Sequence, residues 1–271
     1  MANSVLISGG ATGIGFAIAS HLAQGGHDLV LLSRNQQRLE DAAAKLAEYG
    51  ANVNIEPCDL RDVSKIEPLM RDILNKHQVG YLVNNAAANF ICPTESLSIG
   101  GYRAVTDTVA TGSFMLTKCC GDYWIRNKVP GRVVNISASY AQGAGPYVVP
   151  SAMAKAAIEA MTRSLAVEWG KKQIALNAIA LGLFPTPGSV KQLLPNPEMV
   201  EQIRSYIPSQ RFGDLQEVSR LVHFLLFECG SYLTGETIRL DGAFYHASGA
   251  GPFYNLLKDL NESFWEELRK K

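Results

Sequence analysis

The stretch Ser8-Gly9-Gly10-Ala11-Thr12-Gly13-Ile14-Gly15 follows directly on a short apolar run and opens a segment of helical period. Glycines spaced Gly-x-x-x-Gly-x-Gly let backbone N–H groups and a helix N-terminus face a pyrophosphate without Cβ atoms in the way. Gly9, Ala11, Thr12, Gly13, Ile14 and Gly15 are therefore the candidate phosphate contacts of a dinucleotide site. A glycine triad alone is weak evidence; a strand before it and a helix after it make it specific. At the end of the second apolar run, where a carboxylate would hold a ribose 2′-hydroxyl, the sequence reads Leu32-Ser33-Arg34-Asn35 and offers no acid. With Ser33 beside it, the Arg34 guanidinium can make charge-assisted bonds to a 2′-phosphate, which points to NADP(H) rather than NAD(H). Asp59, followed by Leu60, ends the third run and is placed to bond an adenine amino group; Asn85-Ala86-Ala87 follows the fourth, where the chain must pass close under the cofactor.

The elements that must hold these residues alternate. Short runs rich in β-branched residues predict strands at Val5–Ser8, Leu29–Ser33, Val53–Cys58, Tyr81–Asn84, Val133–Ser137, Ala175–Ile179 and Thr237–Leu240. Between them, helical periodicity predicts Ile14–Gln24, Gln36–Tyr49, Val63–Lys76, Tyr102–Ile125, Ala152–Trp169 and Leu215–Phe227, with Asp62 and Ser151 placed to cap two of these helices. Alternation of this kind implies βαβ units: one α/β domain over residues 1–271, a seven-stranded parallel sheet with helices on both faces. Prolines 185, 187, 195 and 197 interrupt the alternation before a short helix near Glu198–Tyr206, so residues 184–207 read as a substrate lid. From Tyr245 to residue 271 an extension carries the stripe Leu256, Leu257, Leu260, Phe264, Trp265 and Leu268, an amphipathic helix suited to packing on its own body or a neighbouring subunit.

Of the 271 residues, 47% are hydrophobic and 18% charged, which supplies a sizeable core and excludes collagen-like and disordered classes. Twenty-five basic residues cancel 25 acidic ones, so no whole-molecule field draws in nucleic acid or an anionic membrane. Cys58, Cys92, Cys119, Cys120 and Cys229 contain no CxxC pair and are odd in number, so they read as reduced core thiols. His21, His27, His77, His223 and His246 are scattered without a ligand-like pair, and no metal is expected. No apolar run reaches the roughly 18 to 20 residues that span a bilayer. Residues 1–4 are too few for a signal or transit peptide, and the C-terminal Leu268-Arg269-Lys270-Lys271 is not an SKL-type address, so the expected location is the cytoplasm.

The glycine triad, Asn84-Asn85-Ala86, Asn135-Ile136-Ser137, the Lys155 helix, and Thr234-Gly235-Glu236 before Asp241-Gly242 together resemble the short-chain dehydrogenase/reductase family, a Rossmann fold, over essentially the whole chain. That family normally carries Tyr-x-x-x-Lys, but here the segment is Ser151-Ala152-Met153-Ala154-Lys155. Either the site is dead or another phenol replaces the missing one. Within the family the chain is similar to mitochondrial-type 2,4-dienoyl-CoA reductases, in which a Tyr stands eleven residues before a Ser and fifteen before the Lys; Tyr140, Ser151 and Lys155 reproduce that spacing. Asn89-Phe90, Pro93-Thr94-Glu95 and Val148-Val149-Pro150 also match the subgroup.

The resemblance implies an NADPH-dependent reduction of an unsaturated acyl-CoA, most simply a 2,4-dienoyl-CoA to a 3-enoyl-CoA in fatty-acid metabolism. Hydride addition to the far end of the diene pushes charge onto the thioester oxygen, which needs donors. By resemblance these are Tyr140 and Asn89; Lys155 holds the nicotinamide ribose and favours the charged phenol, and Ser151 positions its neighbours. The turn at Gly182-Leu183 would meet the nicotinamide, Arg61 a coenzyme A phosphate, and Phe90 and Ser98 the acyl thioester, although Arg61 could equally pair with a neighbouring acid. Relatives pair the helices 102–125 and 152–169 into homotetramers. Two departures stand out: the family's helix asparagine falls on Thr111, and its Pro-Gly turn is Leu181-Gly182. Other readings of the same residues are a reductase of 3-oxoacyl thioesters or other carbonyls, and a catalytically silent NADP(H)-binding protein.

Overall fold

Seven apolar runs become seven strands: β1 Ser4–Ser8, β2 Leu29–Ser33, β3 Val53–Pro57, β4 Val79–Asn84, β5 Gly131–Ala138, β6 Ile174–Leu181 and β7 Thr237–Leu240. They form one sheet in the order β3-β2-β1-β4-β5-β6-β7, and every pairing is parallel. The computed structural model describes residues 4–188, 197–249 and 256–261, with residues 263, 265 and 269. The chain builds outward from β1 to β3, returns to β4, and builds outward again to β7. That reversal between β1 and β4 opens a crevice at the carboxyl ends of the strands, where a ligand is received in this architecture.

Nine α-helices are described: α1 Gly13–Gln24, α2 Gln36–Ala47, α3 Val63–His77, α4 Ile99–Thr106, α5 Gly112–Asn127, α6 Val149–Trp169, α7 Pro197–Tyr206, α8 Leu215–His223 and α9 Phe244–Gly249. Strand side chains alternate between two cores, as the pleat requires. Val5 and Ile7 face α1, α2 and α8 with Leu29, Leu31 and Val83, whereas Leu6 faces α3 and α5 with Val30, Leu32, Leu82 and Val133. Helices thus cover both faces of the sheet.

The expected helix 102–125 is not continuous. α4 ends at Thr106, a π-helical turn spans Asp107–Thr111, and α5 begins at Gly112, where an added Cβ would come within 2.8 Å of Leu60. The wide turn lets Val105 and Val109 pack on Ala154 and Ile158 of α6 while Leu116, Cys120 and Trp124 lie on the sheet. Neither expected cap makes the expected bond. Asp62 precedes α3 but accepts from the Ser64 hydroxyl at 2.6 Å and pairs with Lys65 at 2.8 Å. Ser151 lies inside the first turn of α6, because Pro150 starts that helix earlier and leaves the hydroxyl free for another partner. Asn35, Ser98 and Asp214 do cap α2, α4 and α8.

Residues 189–196 of the expected lid, and Phe264 and Leu268 of the expected tail stripe, lie outside the described residues. Lys258 donates to the Ser205 carbonyl at 2.9 Å and lies 5.8 Å over the Tyr206 ring, so this part of the tail rests on α7. Among the described residues no helix is long and apolar enough to cross a membrane.

Candidate active site

Gly9 and Gly13 hold φ of 66° and 56°, the left-handed region that favours glycine, and wrap the chain from β1 into α1. A Cβ on Gly15 would lie 2.2 Å from the Gly9 carbonyl oxygen and 2.5 Å from Asn85 Nδ2, so no other residue permits that packing. The Asn85 and Ala86 amides each donate to Ser8 Oγ at 3.1 Å, and Asn85 Nδ2 donates to the Ser8 and Gly9 carbonyls at 3.1 and 3.2 Å. These bonds pin the loop after β4 beneath the glycine turn. Thr12 precedes α1 without a side-chain cap bond, leaving the helix N-terminus open to an anion. The cradle of Gly9, Ala11, Thr12, Gly13, Ile14 and Gly15 therefore fits a pyrophosphate. Thr186, which sequence reasoning passed over as part of the lid, stands 3.5 Å from where a Gly13 Cβ would be. The nearest atom is its methyl carbon, with the hydroxyl oxygen at 3.7 Å, and no sequence motif marks it.

Arg34 follows Ser33 at the carboxyl end of β2, exposed and without an ion pair among the described residues. Arg61 is not free: its Nη2 lies 2.5 Å from Asp59 Oδ2 and its Nε 3.0 Å from both carboxylate oxygens. That fork holds the Asp59 carboxyl below the usual carboxylate range. An incoming phosphate would have to compete with Asp59 for Arg61, the alternative the sequence left open. Leu60 is buried against Gly112, so only its backbone is available to a cofactor. Gly182 packs against Asp241, 2.6 Å from its would-be Cβ to the Asp241 Cβ, which accounts for the glycine there; Leu183 accepts the Gly213 amide.

Tyr140 sits in a short 3-10 turn, Ser139–Ala141, immediately after β5. Its phenol oxygen is 2.9 Å from Ser151 Oγ in α6, and Asn89 Nδ2 approaches it to 3.5 Å from the loop after β4. One turn along α6, Lys155 is buried and donates from Nζ to the Ile136 carbonyl at 2.6 Å. Burial pushes its pKa down to about 8. The expected help from Lys155 toward a charged phenol is not the influence that dominates at Tyr140. Burial raises the Tyr140 pKa, and the opposing influence is the Ser151 hydrogen bond. Tyr140 is held as a neutral donor, which suits an oxyanion partner better than a base.

Phe90 is at the mouth of this site, 36% exposed, with its ring edge 3.0 Å from where a Gly101 Cβ would be. The Ser98 hydroxyl accepts the Gly101 amide as the α4 cap, so its side chain is already engaged. Thr111 closes the π-helical turn. Beneath the site, Asn84 donates to Thr117 and Asn135, and Asn135 to Thr162, all at 2.8 Å, tying β4 and β5 to α5 and α6.

Three histidines that look scattered in sequence converge away from this site. The rings of His21 and His27 each lie 5.6 Å from that of His223, and His27 stacks on Phe227 at 4.0 Å. Among the described residues no group of three or more His, Cys, Asp or Glu is arranged to hold a metal ion.

Residues 9–244 match the family model described as Enoyl-(Acyl carrier protein) reductase. The chain is 35% identical over 241 residues to a probable 2,4-dienoyl-CoA reductase, (2E)-enoyl-CoA-producing, of Bacillus subtilis, covering 88% of this chain and 95% of that one. It is 34% identical over 272 residues to a probable (3E)-enoyl-CoA-producing 2,4-dienoyl-CoA reductase of Caenorhabditis elegans, covering 97% and 87%. A solved short chain dehydrogenase from Bacillus anthracis superposes with a TM-score of 0.81 at 33% identity, covering 90% and 96%.

Proposed function

The chain belongs to the short-chain dehydrogenase/reductase family, and on that premise we propose that it is an NADPH-dependent reductase of 2,4-dienoyl-CoA thioesters, yielding a 3-enoyl-CoA. The observation that carries the reading is the meeting of Tyr140, Ser151 and Asn89 at one point, with Lys155 buried a turn away. When bound, the nicotinamide would supply the hydride, and a proton from water or a side chain on the dienolate carbon completes the 3-enoyl product. Tyr140 and Asn89 donate to the thioester oxygen as it gains charge, and an added donor of this kind is worth about 10²–10³ in rate. Ser151 fixes the direction of the phenol. Lys155 serves the cofactor's ribose, and its ammonium adds a positive charge to a site that must stabilise a dienolate.

The exposed Arg34 supports NADPH over NADH, and Asp59 with Leu60 and Asn85 with Ala86 line the same crevice end of the sheet. Arg61, Phe90 and Ser98 are assigned to the acyl-CoA; for Arg61 this requires exchange of Asp59 for a phosphate. Residues 184–207 are assigned as the lid and the segment from 245 as an extension of one domain. The proposed location is the cytoplasm, and a homotetramer fits the apolar outer positions Phe114 of α5 and Met153 and Val167 of α6, which are 48%, 51% and 88% exposed. Sedimentation of the purified chain tests that assembly.

Purified protein with NADPH is assayed against a 2,4-dienoyl-CoA and a 3-oxoacyl-CoA. Turnover of the dienoyl thioester, with chromatography identifying a 3-enoyl product, is expected. Turnover of the oxoacyl thioester alone, or tight NADPH binding without turnover, overturns the reading. A 2-enoyl product retains the substrate and corrects the site of protonation.

A further inference from the structure

Glu159 is a buried acid that the chemistry above does not use. Its carboxylate is 2% exposed on α6, two turns beyond Ser151 and one beyond Lys155, so the three side chains share one face of the helix. Burying a charge is costly unless donors meet it. Here they do: Ser137 Oγ donates to Oε1 at 2.7 Å and Gln142 Nε2 to Oε2 at 2.8 Å. The Gln142 side-chain oxygen in turn accepts from Arg239 of β7, which fixes the amide's orientation from both ends. The Gln142 main-chain carbonyl accepts the Tyr245 hydroxyl at 3.4 Å, and the Arg239 guanidinium lies 4.2 Å over the Tyr245 ring.

Gln142 is two residues from Tyr140 and ends the turn that carries it. In a Tyr-x-x-x-Lys arrangement the helix itself would position the phenol. In this chain the phenol stands outside the helix, on a turn whose loop continues through Gly143 and Gly145 to Tyr147 at φ 63°. Ser151 holds the phenol oxygen and not the backbone beneath it. The Glu159–Gln142 bond ties the residue that ends that turn to α6. It also explains why a carboxylate, rather than an apolar side chain, occupies so buried a position.

We propose that Glu159 is a positioning residue for Tyr140, acting through Gln142, and that β7 and the segment after it brace the same loop through Arg239 and Tyr245. This rests on the reading of Tyr140 as the working phenol. Placement errors near 1 Å can cost about a hundredfold in rate, so loss of the lock is expected to lower kcat by about tenfold or more.

The test compares Glu159→Met, Gln142→Ala, their double variant and Glu159→Gln in the full-length protein, by kcat, NADPH affinity, melting temperature and hydrogen exchange over residues 139–148. Replacing a buried carboxylate by an apolar side chain of similar size need not destabilise. A structural role alone therefore predicts normal kcat in Glu159→Met, whereas positioning predicts a stable protein with unchanged NADPH affinity, low kcat and faster exchange in the loop. Glu159→Gln, whose amide still accepts from Gln142, should recover most of the activity. The double variant should be no worse than Gln142→Ala, which by itself removes both the Glu159 and the Arg239 bond. Normal kcat in Glu159→Met, or losses that multiply in the double variant, overturns the proposal. Should Glu159→Met fail to fold, Gln142→Ala at its half-buried loop site decides by the same kcat and exchange criteria. A wild type without dienoyl-CoA turnover overturns the functional reading instead, and loop exchange in the variants then decides whether the lock exists.

Discussion

The hydroxyls of Tyr140 and Ser151 lie eleven positions apart in the chain and 2.9 Å apart in space, one on the turn after β5 and the other in the first turn of α6. Had α6 begun at Ala152, Ser151 would have been free to cap it. Because the helix starts at Val149, the serine hydroxyl is committed to the phenol.

Removing that hydroxyl should loosen the phenol without emptying the site. A single neutral hydrogen bond is worth about 1 kcal/mol, so Ser151→Ala is expected to lower kcat about three- to tenfold. It should also raise the Tyr140 pKa further, since the Ser151 bond opposes the effect of burial. Steady-state kinetics and a spectroscopic titration of Tyr140 check both; an unchanged kcat would mean that Ser151 does not position the phenol.

Cofactor choice depends on Arg34. With no acid at the end of β2, Arg34→Ser should reduce the preference for NADPH over NADH by about ten- to a hundredfold, the worth of charge-assisted hydrogen bonds to a phosphate. The ratio of kcat/KM for the two cofactors measures this. A ratio that stays constant assigns discrimination elsewhere.

Proton linkage gives two windows in stability. Burial, the larger influence, and the neighbouring His223 lower the pKa of both His21 and His27, and burial lowers that of His77. The unfolded chain then binds more protons than the folded one, so stability is fully present above the unfolded value of 6.5 and falls as pH drops below it. Lys155 obeys the same sign at higher pH: with a folded value of about 8 against 10.5, its burial becomes less costly as pH rises between them. Urea titrations should show stability declining from pH 6.5 to 5, with a shallower decline in His21→Gln/His27→Gln. From pH 8 upward, the rise due to Lys155 should vanish in Lys155→Met.

Much of the fold is legible in the sequence. β2 and β7 match the expected bounds at both ends and the other five strands match within two residues at each end, because the central parallel strands, buried on both faces, read as uninterrupted apolar runs. The π-helical turn at Asp107–Thr111 was not legible, and the packing of Gly112 on Leu60 beside it joins residues far apart in the chain. The Arg61–Asp59 pair was legible only as an alternative, because spacing shows that two charges can meet and not whether a ligand separates them. The histidine cluster was invisible for a related reason: His21, His27 and His223 come from α1, the turn before β2 and α8, and only tertiary packing joins them. Glu159 and Gln142 carried no motif at all; the hydrogen-bond geometry alone singles them out.

The central claim is that Tyr140 does the work of the tyrosine missing at position 151. The most direct measurement is single-turnover reduction of a 2,4-dienoyl-CoA by Tyr140→Phe, with NADPH binding measured on the same sample. Loss of one oxyanion donor predicts a rate about 10²–10³ lower with cofactor affinity unchanged. A wild-type rate in that variant would contradict the account.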